Sequence, residues 1–208
     1  MHTTSIRVDS TKILTRTELA AVLADLHARA PRSANTRLNL TLVRLACCCG
    51  LRASEIAALQ VADVRCELAR PHLRIRVGVS KGGRSRIVPL WWDRGTLRDL
   101  DTWKAERDAA GAKPDDPFVG SLWPSRLHTP LSRHTLRRRF KTACRVLGLE
   151  RLGTLTIHHG RHTFISHALA GNRKLAEVRD AAGHTNVSIT SAYLHVAVED
   201  EGVGELFG

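Results

Sequence analysis

Tyr193 is the single tyrosine of the chain and follows the histidine of Ala182-Gly183-His184 by nine residues. A phenol with a pKa of about 10 is protonated at neutral pH, so it attacks only with a proton acceptor and positive charge close by. The preceding sequence holds such groups in Arg52, Lys81, the run His158-His159-Gly160-Arg161-His162, and His184. Together they suit attack on a phosphodiester. Its non-bridging oxygens gain charge in a five-coordinate transition state, and planar arginine forks match them. Arg52 and Arg161 are the candidates for that contact, His158 for the proton acceptor, and His184 for a further hydrogen bond to the phosphate. The departing ester oxygen leaves as an alkoxide and needs an acid. Arginine does not release its proton, whereas lysine can, and Lys81 is the only lysine between Lys12 and Lys104. Glu55 lies three residues after Arg52; it is a carboxylate that either holds a neighbouring arginine or histidine in place or complements a helix N-terminus.

A metal reading competes at one point. His158 and His162 are four apart, as in zinc-binding His-Glu-x-x-His helices, but His159 stands at the position where that motif needs its glutamate. The five cysteines include three in a row, Cys47 to Cys49, whose side chains diverge on a helix, and no zinc-type spacing occurs. They read as reduced, buried thiols. No metal and no other cofactor is expected.

The elements that must position these groups are mostly helical. Thr15-x-x-Glu18 is a capping box, and Leu19, Val22, Leu23 and Leu26 follow at helical spacing, predicting a helix to about Ala30. A second helix from about Asn35 stops at Gly50, a left-handed cap. Arg52 then stands at the start of a short helix through Leu59, where free backbone N–H groups favour an anion. Leu73 to Val77 and Arg86 to Leu90 alternate around a Lys81-Gly82-Gly83 turn and predict one hairpin. Ser132 caps a helix with Leu136, Phe140, Ala143 and Leu147 on one face and Arg133, Arg137, Arg138 and Lys141 around the rest. Further helices are expected near Ile157, Asn172 and Val187.

A formal net charge of +12, spread along the chain, favours a phosphate-rich partner. Arg84, Arg86, Arg133, Arg137, Arg138 and Arg139 are the candidate DNA contacts. No apolar stretch approaches the length of a membrane span, and no targeting segment is evident, so a cytoplasmic, nucleoid-associated protein is expected.

Taken in order, Cys49-Gly50-Leu51-Arg52-Ala53-Ser54-Glu55-Ile56, Lys81, His158-His159-Gly160-Arg161-His162-Thr163-Phe164, Gly183-His184 and Tyr193 resemble the catalytic domain of the tyrosine recombinases, the phage integrase family. The resemblance runs from about Leu14 to His195. It implies a mainly helical α+β fold with a small antiparallel β-sheet. Residues 14–198 would form the catalytic domain, after an N-terminal extension over 1–13 and before an acidic tail over 199–208. It further implies cleavage and rejoining of double-stranded DNA through a 3′-phosphotyrosyl bond at Tyr193, without a cofactor, by a homotetramer on paired sites. Most members of that family carry a helical DNA-binding domain before the catalytic one, so an accessory protein or a separate N-terminal domain is an expected partner. A type IB topoisomerase and a non-catalytic DNA-binding regulator are the alternatives. Two residues depart from the family pattern: Gly160 replaces a larger apolar residue and Ala182 a leucine, and both are expected to loosen packing behind the site.

Overall fold

The computed structural model describes residues 9–78 and 85–194; Lys81, Arg84 and the acidic tail lie outside them. Helix α1 (Arg16–Arg29) starts at the expected capping box: Glu18 N–H donates to Thr15 Oγ1 at 3.0 Å, and Thr15 N–H to Glu18 Oε2 at 2.9 Å. Its Leu19, Val22, Leu23 and Leu26 are buried. Helix α2 (Ala34–Val43) passes directly into a π-turn over Arg44–Cys48. From Leu38 to Leu51 every residue is buried, as befits a core helix that is apolar nearly all round.

The segment ends at Gly50, whose φ of 65° puts it in the left-handed region. Leu51 N–H donates to Leu45 O at 3.0 Å across this cap, and a side chain at Gly50 would strike the Phe164 ring. Helix α3 (Ala53–Ala58) follows, with Arg52 as its N-cap residue.

The sheet has three antiparallel strands in the order β1 (Val64–Arg65), β2 (His72–Ile75) and β3 (Arg86–Pro89), with Val64 opposite Leu73 and Leu73 opposite Val88. Strands β2 and β3 pair as expected, though over His72–Ile75 and Arg86–Pro89, and the Lys81-Gly82-Gly83 turn lies outside the described residues. Strand β1 has no signature of its own, because two residues are too few to show alternation. Leu73, Ile75 and Val88 face the core.

Helix α4 (Arg94–Ala109) packs Leu100 and Trp103 inward, and the indole N–H of Trp103 donates to Phe118 O at 2.9 Å. Helix α5 (Arg133–Ala143) has the expected Ser132 cap. A short helix α6 (Gly148–Thr154), not anticipated, precedes α7 (Ile157–Ala170). Helix α8 (Leu175–Ala182) starts later than the Asn172 expected: Asn172, at φ 60°, instead turns the chain after α7, a conformation that asparagine tolerates. Helix α9 (Val187–Ser191) then leads to Tyr193.

Helix α7 lies across the π-turn, and Gly160 is the reason it fits. An added Cβ at Gly160 would sit 2.9 Å from Ala46 Cβ and 3.0 Å from Ala46 C. The expected loosening at Gly160 is therefore not seen. The missing side chain lets two backbones meet, a contact that depends on a pairing over a hundred residues apart. Ala182 is likewise fully buried, in a second apolar cluster with Phe164, Ile165, Val178 and Tyr193.

Candidate active site

Four backbone features bring the candidate residues together: the Gly50 cap, the start of α3, the buried face of α7 and the C-terminus of α8. Arg161, on α7, is 3 % exposed. It donates from Nη1 to Gly50 O at 2.8 Å and from Nη2 to Ala182 O. The guanidinium thus ties the turn before Arg52 to the turn before His184. Burial, followed by repulsion from Arg52, pulls Arg161 down to about 9, with Glu55 opposing; it remains a cation at neutral pH.

Glu55 is 1 % exposed and saturated with donors. Oε1 accepts from Arg52 Nη1 at 3.0 Å and Arg86 Nη1 at 2.8 Å, while Oε2 accepts from Arg52 N at 2.8 Å and Arg86 Nη2 at 2.8 Å. Burial pushes the carboxyl upward, but Arg86, the Arg52 amide and Arg161 outweigh it and hold the group below the ordinary glutamate range. Glu55 thus accepts the backbone N–H at the N-terminus of α3 and pairs with two arginines.

Arg86 corrects an expectation. It was a candidate DNA contact, yet its side chain is 8 % exposed and its fork is spent on Glu55 and, through Nε, on Ala181 O at 2.9 Å. An isolated buried carboxylate is costly, and Arg86 neutralises it together with Arg52.

His158 is exposed and lines an open cleft together with Arg52, Arg133, Arg137 and Lys141. The direct partner of the phenol is a different histidine: His162 Nδ1 lies 2.6 Å from Tyr193 Oη. The phenol's hydrogen-bond partner thus stands one helical turn beyond His158, the residue expected to accept its proton. The two imidazoles stand edge to face with centroids 4.7 Å apart. The signal was present in the sequence, since residues i and i+4 share a helix face, but which of the two meets Tyr193 depends on where α9 brings the chain back. Among the described residues no group of three or more His, Cys, Asp or Glu side chains is arranged to hold a metal ion.

His184 follows Gly183, whose φ of 67° caps α8. Its Nδ1 lies 2.9 Å from Thr190 Oγ1, and Thr190 is fully buried; sequence reasoning did not single out this threonine. The site's histidines are pushed towards the neutral form. Burial and then His158 lower His162 to about 4; burial and then Arg161 lower His184 to about 3; burial and then Arg161 lower His158. Tyr193, 6 % exposed, is raised by burial while Arg161 draws it down.

On α5, Arg133, Arg137 and Lys141 recur every fourth residue and face the cleft of Arg52 and His158. Arg138 lies on the other side of the helix, against a groove that also takes in Trp123 and Arg126. Arg139 is more constrained than expected of a DNA contact, its guanidinium held by Asn35 Oδ1 at 2.8 Å and Asn39 Oδ1 at 3.1 Å.

The fold around this site is that of the tyrosine recombinases. It superposes on the XerA recombinase with a TM-score of 0.69 at 18 % identity, covering 94 % of this chain and 61 % of that one. It superposes on the XerH site-specific recombinase bound to difH substrate with a TM-score of 0.68 at 23 % identity, covering 88 % and 50 %. Residues 12–200 match the model of the phage integrase family, and the chain belongs to that family. A tyrosine recombinase of Pseudothermotoga lettingae is 31 % identical over 153 residues, 74 % of this chain and 48 % of that protein. The tyrosine recombinase XerD of Pseudomonas aeruginosa is 30 % identical over 191 residues, 89 % and 58 % respectively. The chain thus spans about half the length of the curated relatives it matches. No described helix is long and apolar enough to cross a membrane.

Proposed function

We propose that the chain, over residues 14–198, is the catalytic domain of a site-specific DNA recombinase that cleaves and rejoins double-stranded DNA through Tyr193. The observation that carries this reading is the 2.6 Å approach of His162 Nδ1 to Tyr193 Oη, on the same helix whose Arg161 ties together the turns of Arg52 and His184. Tyr193 Oη attacks phosphorus, and its proton passes to neutral His162. Arg52 and the remaining donors of Arg161 stabilise the non-bridging oxygens as charge grows there. With Nδ1 of His184 engaged by Thr190, Nε2 is the atom to meet a phosphate oxygen. His158 lies in the cleft beside Arg52 and adds a further donor or acceptor at the phosphate.

The bond from phosphorus to the 5′ oxygen breaks, and Lys81 is the proposed donor of the proton that oxygen takes up. The 3′-phosphotyrosyl bond keeps the phosphodiester's energy, so a 5′-hydroxyl of a partner strand restores the DNA by the reverse steps. Arg133, Arg137 and Arg138 are the proposed DNA contacts, with Arg84 as a further one. A homotetramer on paired sites, aided by an accessory protein or a separate N-terminal DNA-binding domain, is the proposed assembly. The test is a nicked suicide duplex: the wild-type chain should become covalently attached to it and Tyr193→Phe should not, whereas an adduct formed equally by both would overturn the assignment.

A further inference from the structure

Two arginines, not one, bridge the turns that present Arg52 and His184. Arg161 spans them through Gly50 O and Ala182 O. Arg86 spans them a second time, from Glu55 at the start of α3 to Ala181 O at the end of α8. The Arg86 side chain runs directly under the left-handed cap: a Cβ at Gly183 would lie 2.8 Å from Arg86 Cδ and 3.0 Å from Nε. Glu55 in turn holds both the backbone N–H and the guanidinium of Arg52.

We propose that Arg86 is a positioning residue for phosphodiester cleavage, fixing the separation of Arg52 and His184 so that both can meet one phosphate; this rests on the recombinase reading above. Three of its N–H groups are committed within the protein, two of them to Glu55, so its fork is not free to meet DNA. Lysine cannot substitute, because one ammonium cannot fork both carboxylate oxygens and also reach a carbonyl on another helix. Arg86 opens β3, so one contribution of the sheet to the site is to anchor this fork.

The test compares the wild-type chain with Arg86→Lys and Arg86→Gln on the nicked suicide duplex. Single-turnover cleavage is measured at saturating DNA, and noncovalent affinity is followed across salt concentrations. Both variants should cleave about tenfold to a hundredfold more slowly with affinity and salt slope nearly unchanged. The double variant Glu55→Gln/Arg86→Gln should fall no further than the poorer single variant, since the pair acts as one unit.

Wild-type cleavage rates in either variant would overturn the proposal. Lower affinity with a salt slope smaller by about one and an unchanged saturated rate would make Arg86 a DNA contact instead. Failure of both variants to fold would reduce it to an ordinary core residue. An independent reading comes from the free protein, where the imidazole resonances of His184 should shift in Arg86→Gln; unmoved resonances overturn the bridge whatever cleavage shows. Absence of any adduct with wild-type protein would sink the recombinase reading itself, leaving the His184 measurement to decide on the bridge.

Discussion

The hydroxyl of Tyr193 lies 2.6 Å from Nδ1 of His162, one helical turn beyond His158. In the neutral tautomer protonated at Nε2, His162 is the proposed acceptor of the phenolic proton. His162→Ala should therefore slow single-turnover cleavage by about a hundredfold or more, within the range of general-base catalysis, with DNA affinity little changed. An effect of His158→Ala larger than that of His162→Ala, in rate at saturating DNA, would return the acceptor role to His158.

Protonation of the half-buried His162 and His184 should appear in stability. His162 falls from 6.5 to about 4 on folding and His184 from 6.5 to about 3, so between those values and 6.5 the unfolded chain binds more protons than the folded one. Stability then rises with pH through this window and is lost as pH falls through it. Thermal denaturation at pH 7.5 and pH 5 should give the lower midpoint at pH 5, and His162→Gln should flatten the difference. A midpoint independent of pH in the wild-type chain would contradict the partial burial of these rings.

Gly160 meets Ala46 at backbone distance. Gly160→Leu, which restores the larger residue common in the family, should destabilise the chain by roughly 1–3 kcal/mol through overpacking. Urea denaturation measures it. Ala46→Gly should recover part of the loss; a variant as stable as wild type would show that the two helices can separate without cost.

Removing the proposed acid has a chemical rescue. Lys81→Ala should cripple cleavage of ordinary DNA but recover on a duplex with sulfur at the 5′ leaving position, because a thiolate departs without a proton. Equal impairment on both substrates would assign Lys81 to DNA binding.

Arg133 and Arg137 face the cleft of Arg52 and His158 from one side of α5. Affinity should fall at least about a hundredfold between roughly 50 and 200 mM salt, and Arg133→Ala or Arg137→Ala should each reduce the salt slope by about one. Filter binding across that range tests both statements.

Much of the scaffold was legible because its signals are local. The Thr15 and Glu18 capping box, the Gly50 cap, the Ser132 cap and the alternation around β2 and β3 each depend on contacts within a few residues, which a linear pattern displays. Residue type and order also single out Arg52, Lys81, His158, Arg161, His184 and Tyr193 as groups suited to a phosphodiester, and the fold brings Arg52, Arg161, His184 and Tyr193 to neighbouring turns.

What tertiary structure alone decided is which of these groups touch. The choice of His162 over His158 is made by the return of α9 onto α7, and the support of His184 by Thr190 is made by a turn of the chain. Arg86 reads in the sequence as one more basic residue in a basic hairpin; only the fold reveals Glu55 beneath it, a buried carboxylate that must be neutralised. Gly160 reads as a deletion of core volume, and becomes a requirement only where Ala46 lies against it. Apart from the His184–Thr190 contact, which spans six residues, the deciding energy is a contact between residues distant in sequence, and residue type specifies what a side chain can bond to but not which distant partner the packing will supply.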